Sequence, residues 1–396
     1  MRKVLQSVAT MALCTAAIAV AQAAPKQIVV VVADGLSPQV IDLGSAYVKA
    51  SSTDPDTTVA FSDLKSVGKI ASAKSDALAS MRGVLKIAAA NGYKTGIVTT
   101  GNVASDAALL YDLPSDSANI AGTLLTTTKP DFLAGGGRSD FSSALTKTFT
   151  ASGHTVLLDA EAFEAVDEVK GRVLALQSDS DLTYALDNDS STTTSVGDLT
   201  SLAIKNLGGD NASPYILIVH NTNIAKALAA KDTPALLGEL REVDGIIGDV
   251  LSTRNALDAP GDLALAVVST GAASFPKYTS ETAGDRSNAI FVASQLTSSY
   301  TKATQTLKGA KDDDITTFAT DVYPNWKPSA AVRSQLLAGT MTGEDAVRAS
   351  YETAIQIGYH STSVAPLAYV VGMGDGDVVE SVAGVVSKKP MTSKTK

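Results

Sequence analysis

Cysteine is close to absent from this chain of 396 residues, and the one it has, Cys14, lies near the start. Residues 1–23 open with Arg2 and Lys3, continue through the uncharged apolar stretch Val8–Val20 and end in the small-x-small sequence Ala21-Gln22-Ala23. That order reads as a secretory signal peptide cleaved after Ala23, which implies export to the periplasm or the exterior. The mature protein is then expected to lack any thiol, which excludes disulfides and a thiolate nucleophile. Leu13 precedes Cys14 where a lipid-anchoring signal takes a small residue, which argues against lipidation. Long apolar runs are missing too. Val8–Val20 falls well short of the roughly 20 residues that cross a bilayer, and no later stretch is long and apolar enough, so the mature chain is expected to have no membrane span.

Positive charge is also scarce. Lys and Arg number 32 against 41 Asp and Glu, the net charge is −9, and no basic run concentrates potential. Nucleic-acid binding is not expected from such a surface. Histidine is limited to His154, His220 and His360. Against these shortages stand 45% apolar and 18% charged residues with 30 Gly and 13 Pro, the composition of a soluble globular protein and not of a disordered or collagen-like chain.

Apolar, β-branched runs alternate with helical patterns. The strand-like runs are Gln27–Ala33, Thr95–Thr100, Asp131–Gly135, Arg172–Leu176, Tyr215–His220, Asp262–Ser269 and Leu367–Gly372. Between them the helical patterns are Asp76–Ala90, Ser115–Leu125, Ser139–Phe149, Leu199–Leu207 and Thr233–Leu251. Strands apolar on both faces and separated by helices predict an α/β fold, a three-layer α/β/α sandwich around a mostly parallel central sheet. One domain is expected over residues 24–386. Residues 273–345 break the rhythm, with polar composition, Pro324-Asn325-Trp326 and the acidic run Asp312-Asp313-Asp314, and read as an insertion or cap. The acidic run lacks EF-hand spacing and reads as a solvated loop. Residues 387–396 read as a disordered tail.

Open α/β sheets bind ligands at the carboxyl ends of their strands. Strand Gln27–Ala33 delivers Asp34-Gly35 there, where the carboxylate is either a cation ligand or a helix N-cap. Further on come Ala71-Ser72-Ala73-Lys74-Ser75-Asp76-Ala77, then Gly92-Tyr93-Lys94-Thr95-Gly96-Ile97-Val98-Thr99-Thr100, then Asp131-Phe132-Leu133-Ala134-Gly135-Gly136-Gly137-Arg138. In this order, and most specifically in G-x-K-T-G-I-V-T-T and D-x-x-x-G-G-G-R, the mature chain resembles the alkaline phosphatases.

The resemblance implies an alkaline-phosphatase-like fold and a chemistry in which a serine attacks a phosphate monoester with two zinc ions and a magnesium. Clustered cations lower the hydroxyl pKa and offset the anionic transition state, and a seryl-phosphate intermediate forms. Ser72 matches the nucleophile, with an ordinary helix N-cap as the alternative. Asp34 matches the metal-bridging aspartate and His360, in Gly358-Tyr359-His360-Ser361, the last zinc ligand. Elsewhere the pattern departs. Ala71 stands where the family has Asp, and the magnesium-holding pair aligns with Ser105 and Ala107, leaving Asp106 as the nearby carboxylate. No arginine lies near Pro114–Asp116 for the phosphate clamp. The ligand segment E-x-x-x-x-D-x-x-x-H reads His220, Ala225 and Ala229, and the following Asp-His pair reads Gly271-Ala272. Alanine and glycine offer a metal no side-chain donor, and a zinc site takes about three or four protein ligands.

His220, at the end of a buried strand, is either a hydrogen-bonded core residue or a ligand, and His154 reads as a surface turn. Lys74 and Lys226 read as solvated cations, and Gly135-Gly136-Gly137 as a structural loop without the lysine and serine of a phosphate cradle. The expectation is a secreted alkaline-phosphatase-like protein with zinc and magnesium lost or reduced, acting by binding or as a structural part of the envelope or exterior. The alternative is a phosphomonoesterase using Ser72 with a reduced metal set around Asp34, Asp106, His220 and His360. Self-association as a homodimer or larger assembly is a further expectation, and a phosphate ester is a substrate only if the protein is active.

Overall fold

A run such as Gln27-Ile-Val-Val-Val-Val-Ala33 has no polar face to offer solvent, so it is stable only with neighbours on both edges and packing on both sides. The computed structural model describes residues 24–390 apart from 55, 115–119, 167, 168, 170, 210–212, 273, 281, 324, 325, 362 and 375. The expected signal peptide, residues 391–396 of the expected tail and residues 324 and 325 of the expected turn lie outside the described residues.

The strands are β1 (Gln27–Ala33), β2 (Lys69–Ala71), β3 (Lys94–Asn102), β4 (Phe132–Gly136), β5 (His154–Leu157), β6 (Arg172–Leu176), β7 (Tyr215–Asn221), β8 (Leu263–Val268), β9 (Phe275–Tyr278), β10 (Ile357–His360) and β11 (Ala368–Val371). Nine of them form one sheet in the order β2-β11-β8-β1-β7-β3-β4-β6-β5, while β9 and β10 pair separately. Within the large sheet only β11 runs against its neighbours, β2 and β8, and every other pairing is parallel. All seven residues of β1 are buried. Val29, Val31 and Ala33 enter one apolar core and Ile28, Val30 and Val32 the other, as the period-two geometry of a strand requires. The first core is closed by helices Pro38–Ser51, Val196–Gly208 and Thr233–Ala256, the second by Val84–Ala90, Val103–Leu110, Ser143–Ala151 and Val378–Val386. The fold is thus a mostly parallel α/β sheet flanked by helices on both faces.

Between β9 and β10 run helices Ala283–Ser294, Tyr300–Leu307, Asp312–Thr317, Ala330–Leu337 and Gly343–Ile355. A bridge from Ala272 to Val364 closes the two ends of this stretch against each other. Its apolar side chains, among them Ile290, Tyr300, Phe318 and Trp326, join the first core. Asp232 fixes the junction. Its carboxylate caps helix Thr233–Ala256 through the Ala235 amide (3.1 Å) and also accepts from the amides of Tyr300 (3.1 Å) and Thr301 (3.0 Å).

Several expected elements differ in detail. The pattern Asp76–Ala90 is two helices, Ala77–Ser80 and Val84–Ala90, because Gly83 adopts a left-handed conformation (φ 75°) that ends the first and starts the second. Ser139–Phe149 becomes a helix only from Ser143, where Ser142 caps it by accepting from the Leu145 amide (3.2 Å). In Ser115–Leu125 the described residues form a short helix, Ile120–Thr123, that passes into a π turn, Leu124–Thr128. His154, expected at the surface, begins β5 and is 5% exposed, with Nδ1 3.2 Å from the Phe149 carbonyl and its ring edge-on to Phe149. Burial lowers its pKa below the ordinary histidine value.

Asp232→Ala removes a buried acceptor from three amide donors, two of them on a neighbouring helix. With each charge-assisted bond contributing about 1.5–3 kcal/mol, unfolding measured by denaturant should show a loss of at least about 3 kcal/mol. Asp232→Asn, which keeps one carbonyl acceptor, should lose less.

Candidate functional site

The three central strands β1, β7 and β3 deliver their carboxyl ends side by side. His220 sits opposite Val32 of β1 and Thr99 of β3. Just past β1, the Asp34 amide donates to the Asn221 carbonyl (3.0 Å), which holds the Asp34 carboxylate beside β7. Past β3, Asn102 caps helix Val103–Leu110 by accepting from the Ala104 (2.9 Å) and Ser105 (3.1 Å) amides, and the first turn of that helix presents Asp106.

The result is a histidine held between two aspartates. His220 Nδ1 lies 2.8 Å from Asp106 Oδ2 and Nε2 lies 3.0 Å from Asp34 Oδ2. The imidazole side chain is 7% exposed and the carboxylates 13% and 24%. A ring that meets a carboxylate at each nitrogen donates from both, which describes imidazolium. Burial by itself works against that charge, but the Asp106 and Asp34 carboxylates outweigh it and raise the pKa from 6.5 to about 10. In this structure both His220 nitrogens are engaged by carboxylates, which is the geometry of the hydrogen-bonded reading. Asp34 is not a helix N-cap, since Ser37 caps Pro38–Ser51 by accepting from the Val40 amide (3.2 Å).

The other candidates lie elsewhere. Ser72 is exposed, directly after β2, and its backbone pairs with the chain around Asp377. It caps no helix, because Asp76 occupies the cap position of Ala77–Ser80. Register runs Ala71, Ala368, Val268, Val32 across the sheet, so three strand spacings, about 14 Å, separate Ser72 from the end of β1. No hydrogen bond joins Ser72 to Asp34 among the described residues. His360 ends β10, exposed, with its ring stacked on Phe275 at 5.7 Å. Lys226 pairs with Asp181 (2.7 Å) and Asn223 Oδ1 (3.1 Å), whereas Lys74 is an exposed cation.

Sequence reasoning missed a second polar cluster on the opposite face of β7. Asn221 points away from His220, and its Nδ2 donates to Glu239 Oε2 (2.7 Å). Glu239 Oε1 accepts from the Ala185 amide (2.8 Å) and from Asn223 Nδ2 (3.3 Å). Burial pushes this carboxyl up to about 7 despite the Asn221 and Ala185 donors. The available signal was a lone acid among leucines in Leu236-Leu237-Gly238-Glu239-Leu240.

The residues present do not fit the zinc and magnesium expected from the resemblance. Asp34 Oδ1 is buried without a hydrogen-bond partner, but it is a single donor where tetrahedral zinc takes three or four. Helix Asn223–Ala230 packs directly on the turn beside it. A Cβ on Gly35 would meet Leu228 Cδ1 at 2.8 Å and Ala225 Cα at 3.4 Å. Asp34 and Asp106 could serve a hard cation through oxygen, but the His220 ring already lies between them. Among the described residues no three His, Cys, Asp or Glu side chains are disposed to hold a metal ion.

The sequence profile of the family described as alkaline phosphatase matches residues 57–363. No curated protein matches the chain significantly. Solved structures do. The cold-active alkaline phosphatase of the psychrophile Shewanella sp. is 18% identical, with 92% of this chain and 100% of that one covered and a TM-score of 0.72. The Thermus thermophilus alkaline phosphatase is 17% identical over 92% of this chain and 90% of that one, with a TM-score of 0.69. The alkaline phosphatase of the Antarctic bacterium TAB5 is 17% identical over 93% and 99%, with a TM-score of 0.56.

His220 and Glu239 both tie stability to pH, and in the same direction. His220, with a folded-state pKa of about 10 against 6.5, contributes fully below pH 6.5 and loses that contribution as pH rises through 10. Glu239, raised from 4.5 to about 7, contributes fully below pH 4.5 and loses it through pH 7. Thermal unfolding should therefore show the Tm falling from mildly acidic to alkaline pH. In His220→Gln the part of that fall between pH 7 and 10 should shrink, and the protein should be less stable at pH 6, where two half-buried carboxylates lose their cation.

Proposed function

Since this chain belongs to the alkaline phosphatase family, we propose that it is a member that keeps the fold without the two-zinc, one-magnesium chemistry, and that it acts as an exported binding or structural protein. The observation that supports this reading is the pair of hydrogen bonds from His220 to Asp34 and Asp106. A protonated imidazole between the two carboxylates supplies from the chain itself the positive charge that an ion would otherwise bring, and it leaves neither nitrogen with a lone pair for a metal. Neighbouring residues point the same way. Ala225, Ala229, Gly271 and Ala272 stand where the family motif has ligands, and Ser72 is remote from Asp34. Loss of a site is compatible with retention of a scaffold, because the sheet and its two cores do not depend on those side chains.

Export would follow from the leader read in residues 1–23. Among the described residues no helix is long and apolar enough to cross a membrane.

The test is elemental analysis of the purified mature protein for zinc and magnesium, with hydrolysis of a chromogenic phosphomonoester followed on the same sample. The expected result is metal far below one equivalent and no chelator-sensitive turnover. One or more equivalents, with turnover abolished by a chelator and by Ser72→Ala, would establish the phosphomonoesterase reading instead. His220→Glu provides a second measurement. It places a third carboxylate beside Asp34 and Asp106, so millimolar magnesium should raise the Tm of this variant and leave that of the natural protein unchanged.

A further inference from the structure

We infer that the open pocket between helix Pro38–Ser51, the β9–β10 pair and helix Ala283–Ser294 is a binding site for a single-chain fatty acid. It encloses about 820 Å³, within the range of small-molecule sites. Its walls are Leu43, Phe275, Pro276, Ile290 and Ile357, so an apolar body entering it leaves water for a mostly hydrocarbon surface. Leu43 and Ile290 are each 4% exposed and belong to the first core, which makes the floor part of the rigid scaffold.

The mouth carries opposite chemistry. Lys49, Lys277 and Arg286 line it, all exposed, and among the described residues none of them has a carboxylate within ion-pair distance. The acid in the lining, Asp42, is already engaged by Lys65 Nζ at 2.5 Å. Arg286 lies over the Tyr278 ring at 5.5 Å, and the half-buried Tyr278 hydroxyl remains a neutral donor. Three unneutralised cations around an apolar pocket, on a chain of net charge −9, select for an anion with a long apolar body and against a neutral or cationic one. A carboxylate on an alkyl chain meets both requirements. The inference stands on this pocket alone, goes beyond the reading of the His220 centre, and is untouched by the outcome of the metal analysis.

Isothermal titration of the mature protein, with probes held below their micelle concentrations, tests it. Dodecanoate should bind with one-site stoichiometry. Decanoate should bind about tenfold more weakly, at about three- to fourfold per methylene. Dodecanol should bind more weakly than dodecanoate and dodecyltrimethylammonium should not bind. Arg286→Glu, an exposed change that leaves the Tm in place, should weaken dodecanoate at least tenfold, and Ile290→Asp should abolish it. The inference is overturned by absence of dodecanoate binding, by equal binding of the trimethylammonium probe, or by binding indifferent to Arg286→Glu. It is overturned equally if sedimentation shows a dimer that Ile290→Asp dissolves, since the pocket would then be a contact between copies of the chain.

Discussion

Two half-buried carboxylates facing each other at the end of a parallel sheet are costly unless a cation stands between them. Here the imidazolium of His220 is that cation, and it belongs to the middle strand of the three that converge there. Its two hydrogen bonds fasten the turn after β1 to β7, and β7 to the helix that follows β3. The backbone ladders align the carboxyl ends, and the ring adds a side-chain link across all three. A neutral side chain in the same place would leave Asp34 and Asp106 repelling one another across a half-buried gap, which favours protonation of one carboxyl or entry of solvent.

Adjacent residues of β7 carry this arrangement to both sides of the sheet. His220 faces the second core and Asn221 the first, where Asn221 holds Glu239 of the long helix Thr233–Ala256. Asn221 also accepts from the Ile224 amide (3.1 Å), which starts helix Asn223–Ala230 on its course over Gly35. One dipeptide therefore links the candidate site, the helix that crowds it and the buried acid beneath. The packing that keeps metal donors away from Asp34 is a consequence of the same local chain geometry.

Much of this was legible in the sequence, and the reasons differ from element to element. Runs that are apolar after their first residue, such as Gln27–Ala33 and Arg172–Leu176, matched their strands to the residue, whereas Tyr215–His220 and Thr95–Thr100 stopped short of Asn221 and Asn102, because a polar residue at a strand end reads as the start of a loop. Short strands such as β2, β9 and β10 depend on partners far away in the chain and carry no periodic signal of their own. Helix Pro38–Ser51 was announced by Ser37-Pro38, a cap followed by a proline in the first turn, and that signal was passed over. In the site, Asp34, Asp106 and His220 were all candidates, with His220 open between a hydrogen-bonded core residue and a ligand and Asp34 between a ligand and a helix cap. That the histidine would itself fill the space between the acids requires knowing that β1, β7 and β3 are adjacent, which is a property of topology and not of spacing along the chain. The same limit explains Ser72. Local sequence matched it to a nucleophile, while its distance from Asp34 follows from β11 and β8 lying between.

The bridge between Ala272 and Val364 has a mechanical consequence. A stretch of chain that leaves and re-enters at neighbouring points imposes no span on the framework it leaves, so strain within its helices is not transmitted through the backbone to the pairing of β8 with β11. Its coupling to the sheet runs instead through side chains, because Ile290, Tyr300, Phe318 and Trp326 are part of the first core.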